Sequence, residues 1–131
     1  MAEAFLKRIL VVDDDPLMTK TLRDILEVEG YAVTVAGGGQ TAIDAFQLAL
    51  QSDESFALVI TDLGMHGVDG RRVIGEVKKS SPTTPVILLT GWGQWFDDRN
   101  NPPLQVNCIL AKPPKLAELR EALAQCLPSK D

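Results

Sequence analysis

The chain has a single histidine, two cysteines, and no apolar run near the roughly 18 residues that a membrane-spanning helix needs. Basic side chains are outnumbered, 13 Lys and Arg against 18 Asp and Glu, for a net charge of −5. A nucleic-acid surface needs a basic face, and here Lys7–Arg8 and Lys78–Lys79 are isolated pairs at the solvated ends of elements, so direct nucleic-acid binding is not expected. Cys108 and Cys126 match neither a metal-ligand spacing nor a disulfide framework, and read as buried thiols of a reducing compartment. The first 15 residues place their basic pair after the first apolar residues and then run into three acids, which is not a signal peptide. There is no repeat, linker or low-complexity tract. These absences leave a cytoplasmic, membrane-independent chain of 131 residues, one domain over 1–131 with its core at about 7–127.

What is present is a regular alternation. Residues 8–12, 31–36, 56–61, 86–89 and 108–111 are short, β-favouring runs whose one charge is Arg8; 31–36 alternates, and the other four read as strands buried on both faces. Between them lie apolar stripes at helical spacing. Met18, Leu22, Ile25 and Leu26 form the first, entered at Asp15–Pro16 and stopped by Gly30. Ala42, Ala45, Phe46, Ala49 and Leu50 form the second, after a turn at glycines 37–39. Val73, Ile74 and Val77 form the third, and Leu116, Leu119, Leu123 and Leu127 the last. Only 91–107 is poor in pattern; Pro102–Pro103 forbids a long helix there, and a short fourth helix is expected. Strands and helices in this order imply a doubly wound α/β fold with one parallel sheet of five strands, covered on both faces.

Parallel strands end on one edge, where open α/β sheets bind their ligands. The residues following the strands are Asp13–Asp14 after the first, Asp62 after the third, Thr90 after the fourth and Lys112 after the fifth; the second ends in Ala36 and glycines and adds nothing. Two carboxylates about 4 Å apart repel by about 4 kcal/mol at an effective dielectric of 20. Three in one crevice call for a cation or a proton. An all-oxygen site suits Mg²⁺, and a metal-neutralised carboxylate beside a hydroxyl and an ammonium is equipped to take up a phosphoryl group.

The pattern Asp13–Asp14, Asp62 with Met65 and Asp69–Gly70 after it, Thr90–Gly91 and Lys112–Pro113 resembles the receiver domain of two-component response regulators, in order and spacing along essentially the whole chain. The resemblance implies a flavodoxin-like three-layer sandwich with strand order 2-1-3-4-5. It also implies Asp62 as phosphoacceptor, with Asp13, Asp14, Asp62 and the Gly64 carbonyl as Mg²⁺ ligands. Thr90 and Lys112 would grip the phosphoryl oxygens, and the Lys112–Pro113 bond would be cis. The donor would be a phosphohistidine on a sensor histidine kinase or phosphotransfer protein. With no output domain after Lys130–Asp131, the response would pass to a protein partner or a parent chain, and the Leu89–Gly93 run resembles receivers attached to hybrid sensor kinases.

Three positions depart from the family pattern. His66 stands where relatives usually have proline, a solvent-facing loop residue in the plainer reading and a metal-touching imidazole in the other. Ile109 stands where many receivers carry a switch tyrosine or phenylalanine. Trp92, two residues past Thr90, is either packing over the short helix or an overhang limiting water at the pocket. Two alternatives compete with the phosphoacceptor. A receiver-shaped interaction module would never be phosphorylated. A haloacid dehalogenase-type Mg²⁺ phosphohydrolase would use Asp13 as nucleophile through Asp13-x-Asp15, but leaves Asp62 unemployed. A flavin carrier is discounted, because acids stand where it needs a phosphate-binding loop.

Overall fold

The computed structural model describes residues 7–65, 67–91 and 105–127. The five apolar runs become β1 (Arg8–Val12), β2 (Ala32–Ala36), β3 (Leu58–Asp62), β4 (Val86–Thr90) and β5 (Cys108–Ala111). They form one sheet in the order β2-β1-β3-β4-β5, every neighbouring pair parallel. Register is fixed by alternation, since a slip of one residue would exchange the two faces. Leu10, Val12, Val59, Val86 and Leu88 point to one face, and Ile9, Val11, Leu58, Ile60, Ile87 and Leu89 to the other. All eleven are inaccessible to solvent.

Among the described residues, each face is covered by two helices. α2 (Gly39–Gln51) and α3 (Gly70–Ser80) cover the first through Phe46, Ile43, Val73 and Val77. α1 (Pro16–Val28) and α4 (Leu116–Cys126) cover the second through Leu22, Leu26, Leu119 and Leu123. Burying each such side chain contributes about 1.5–3 kcal/mol, so helix placement follows from the apolar stripes rather than from intrinsic propensity. The Asp15 carboxylate caps α1 by accepting from the Leu17 N–H at 3.0 Å, with Pro16 in the first turn, and Gly30 at φ 101° ends it. Asp69 caps α3 in the same way through the Arg72 N–H at 3.2 Å.

Several boundaries differ from the sequence expectation by a residue or two, and two of them have a packing cause. Gly39 belongs to α2 rather than to the preceding turn, because the helix start lies directly on the loop after β3: a Cβ at position 39 would come within 2.1 Å of the Val68 carbonyl oxygen. β3 starts at Leu58; Phe56 is buried ahead of it, stacked against Phe46 with centroids 6.3 Å apart. Among the described residues, no helix is long and apolar enough to cross a membrane. The short helix expected within 91–107 falls largely on 92–104, outside the described residues.

Candidate functional site

The pairing of β1 with β3, β3 with β4 and β4 with β5 decides which side chains meet at the carboxyl edge. Val12 lies opposite Thr61 and Thr90 opposite Ala111, so Asp13, Asp62 and Lys112 emerge side by side. Oxygens of Asp13, Asp14 and Asp62 all lie within 4.8 Å of one another. Lys112 Nζ stands 2.8 Å from Asp13 Oδ2 and 3.4 Å from Asp62 Oδ2. The Asp13 and Asp62 side chains are 0% and 3% exposed and that of Lys112 is 19%, so water screens this cluster poorly. Asp14 lies nearer solvent.

The backbone that carries these groups is tied down on every side. Asp13 Oδ1 accepts from the Asp15 N–H at 3.0 Å, the first bend of the chain out of the sheet. The Asp13 N–H donates to the Ala36 carbonyl at 3.2 Å. The second strand was expected to add nothing; it supplies no side chain, but its terminal carbonyl anchors the acid next door. The Leu63 N–H donates to the Leu89 carbonyl at 3.2 Å, and the Gly70 N–H to the Leu63 carbonyl at 2.8 Å. Gly70 has no room for a side chain, since a Cβ would sit 2.1 Å from the Asp62 carbonyl oxygen. Met65 and Val68 tuck against the core beneath α2 and α3 and pull the loop after the acid inward. The sequence marked Met65 only as part of a pattern, and Val68 not at all; both packing roles depend on neighbours distant in the chain.

Electrostatics follow from this geometry. Burial first, then the charge of Asp13, hold the Asp62 carboxyl above its ordinary value, against the pull of Lys112 and of the Leu63 N–H. Burial alone would lower Lys112; the close contact and charge of Asp13, with the charge of Asp62, outweigh it and hold the ammonium above its ordinary value. Asp62 Oδ1 is buried with no hydrogen-bond partner. Asp13 Oδ2 also lacks a directed hydrogen bond, its 2.8 Å contact with Lys112 being an ion pair. Three carboxylates converge within 4.8 Å, and the Lys112 ammonium reaches two of them. Hard oxygen donors, like charges held close and an orphaned carboxyl oxygen fit a divalent cation.

The structure therefore brings Asp13, Asp14, Asp62 and Lys112 together. Thr90 closes β4, and its carbonyl accepts from the Lys112 N–H at 2.9 Å; Gly64 opens the loop after β3. The Lys112–Pro113 bond is cis, as the resemblance implied. Ile109 lies on β5 with its side chain exposed. His66 and Trp92 fall outside the described residues. Cys108 and Cys126, read as buried, are only half-buried.

Comparison with known proteins agrees with this geometry. The chain is 36% identical over 119 residues to the transcriptional regulatory protein GlrR of Escherichia coli K12, covering 91% of this chain and 26% of that one. It is 32% identical over 121 residues to the uncharacterized transcriptional regulatory protein YkoG of Bacillus subtilis, covering 89% of this chain and 51% of that one. It thus spans about half of one relative and a quarter of the other. The response regulator protein TrrA of Thermotoga maritima, solved in complex with Mg²⁺ and BeF, superposes with a TM-score of 0.75 at 31% identity, over 93% of this chain and all of TrrA. The family model described as the response regulator receiver domain matches residues 9–124. Fold, acidic edge and sequence agree, and the chain belongs to the response regulator receiver family.

Proposed function

We propose that this chain is a phosphoacceptor whose nucleophile is Asp62, working with Mg²⁺. The observation that carries the proposal is the cluster itself: three carboxylates within 4.8 Å and a half-buried ammonium reaching two of them. Asp13 and Asp14, with one oxygen of Asp62 and the Gly64 carbonyl, would hold the cation. When bound, Mg²⁺ supplies charge neutralisation for the acids and for the incoming phosphoryl oxygens.

In the transfer, a carboxylate oxygen of Asp62 forms a bond to phosphorus as the phosphorus–nitrogen bond of a donor phosphohistidine breaks, and the released imidazole takes up a proton. Lys112, already above its ordinary pKa, keeps its charge and turns from Asp62 toward the phosphoryl oxygens. Thr90, at the end of β4, offers its hydroxyl to the same group. The charge added at the sheet edge draws Thr90 and Lys112 inward, which biases the surface of β5 and α4 between two states. One domain over 1–131 suffices for this.

The donor is a sensor histidine kinase or a histidine phosphotransfer protein. The receiver of the response is an attached or separate protein. GlrR and YkoG are named transcriptional regulatory proteins and extend well beyond the matched stretch, so any contact with nucleic acid belongs to such a partner and not to this acidic chain. The test is incubation with acetyl phosphate and Mg²⁺, followed by intact-mass measurement. A gain of one phosphoryl group is expected for the natural chain, none with chelator, and none for Asp62→Asn. A gain that persists in Asp62→Asn overturns the assignment.

A further inference from the structure

Two residues that phosphoryl transfer leaves unused stand together on the opposite side of β5 from Ile109. Cys108 opens β5, Cys126 closes α4, and their sulfurs are 3.9 Å apart. Both side chains are half-buried, packed at the margin of the core that holds Leu119 and Leu123. The Cys108 thiol donates to Gln125 Oε1 at 3.3 Å. A groove of about 530 Å³ bordered by Cys108, Leu110, Glu118, Ala122 and Gln125 opens beside it.

We propose that Cys108 and Cys126 form a reversible modification site, a dithiol that a low-molecular-weight disulfide of the glutathione class converts to an intrachain disulfide joining α4 to β5. In the first step the Cys108 sulfur, having given up its proton, attacks one sulfur of the oxidant. The oxidant's S–S bond breaks, and the departing thiolate takes up a proton. In the second step Cys126 attacks the Cys108 sulfur and expels the other half as a second thiol. The protein loses two hydrogens and two electrons; the oxidant gains them as two thiols.

The geometry asks for little movement. A disulfide bond of about 2.05 Å requires the sulfurs to close by about 1.9 Å. Cys126 is the last residue of α4, where the cap rests on a bond from the Leu127 N–H to the Leu123 carbonyl. A terminal turn is the part of a helix that adjusts most readily.

The order of attack has its own cause. Burial, then the charge and hydrogen bond of Cys108, push the Cys126 thiol up to about 12, against the pull of Lys78. Cys126 is therefore a poor first nucleophile. Once Cys108 is capped as a neutral mixed disulfide, two of those three causes disappear. This inference goes beyond the phosphoacceptor reading and stands without it.

The experiment uses the full chain, reduced, freed of reductant and incubated with oxidised glutathione. Samples are quenched in acid and weighed intact, with and without iodoacetamide. The expected result is a mass lower by two hydrogens, neither cysteine alkylated, and full reversal by dithiothreitol. Cys126→Ala should stop at a stable adduct of one glutathione on Cys108. Cys108→Ala should likewise stop at an adduct of one glutathione, on Cys126, with no disulfide. A natural chain that keeps two alkylatable thiols, stops at a glutathione adduct or links into dimers overturns the site. A transient glutathione adduct of the natural chain that maps to Cys126 rather than Cys108 overturns the order of attack. Circular dichroism checks that both variants fold; if either does not, the natural chain's mass decides the site, and the growth and decay of its own glutathione adduct, mapped by peptide mass to Cys108 or Cys126, decides the order.

Discussion

At the amino end of the sheet polar groups are matched with partners, and at the carboxyl end they are left facing one another. The Arg8 guanidinium lies 4.4 Å above the Phe56 ring and donates to the Glu54 carbonyl. Asn107 Oδ1 accepts from the Val86 N–H at 2.9 Å, and Lys78 Nζ donates to the Thr84 carbonyl at 2.7 Å. At the other end, two buried acids share the Lys112 ammonium, with a third carboxylate nearer solvent inside 4.8 Å. Both ends are built on the same five strands. The amino end contributes stability, while the carboxyl end holds like charges close and lowers it, as sites poised to bind commonly do.

The sharpest way to probe this contrast is a pair of glycines on one helix. Gly70→Ala drives a Cβ against the Asp62 carbonyl oxygen and should cost about 3 kcal/mol in urea unfolding. Gly75→Ala, five residues on with nothing within 4 Å, should gain up to about 1 kcal/mol through helix propensity. Equal effects would mean the loop yields where the packing says it is rigid.

Removing the ammonium comes next. Lys112→Ala should lose about 2 kcal/mol at neutral pH in chelator, because Asp13 and Asp62 are left buried together. Millimolar Mg²⁺ should recover much of that loss in thermal melts. A loss indifferent to Mg²⁺ would separate Lys112 from the acids' shared charge.

Asp62→Asn should act in the opposite sense and stabilise the metal-free chain by about 1 kcal/mol. Because the folded carboxyl lies above its ordinary 3.8, its favourable contribution is present below that value and is lost as pH rises through the folded one. The advantage of the Asn variant should therefore be absent in acid and widen toward neutrality. A constant difference across that window would remove the electrostatic cause.

The smallest effect belongs to the amino end. Arg8→Ala should lose about 0.5–1 kcal/mol and leave phosphoryl loading unchanged. A change in loading would show the two ends to be coupled.

Much of this was legible in the chain itself. Strands buried on both faces announce themselves as uncharged apolar runs, and the acids, Thr90 and Lys112 follow those runs directly, so a parallel sheet has only one edge on which to place them. What was hidden depends on contacts between distant segments. Gly39 reads as part of a turn, because nothing near it in sequence tells that Val68 lies on top of it. Ala36 has no side-chain chemistry and acts through a carbonyl. Phe56 is apolar enough to extend a strand, and only its stacking on Phe46 places it outside. Cys108 and Cys126 are eighteen positions apart with no motif between them, and become neighbours only when α4 folds back along β5.

Position 39 has one more implication. The start of α2 bears on the loop that leaves β3, and the start of α3 bears on that strand's final carbonyl. The loop is gripped from two sides by the starts of two helices. Bulk introduced at Gly39 would press on that loop through Val68, from outside the acidic cluster. Sequence drift at such seams offers a lineage a way to retime a chemical signal without altering its chemistry.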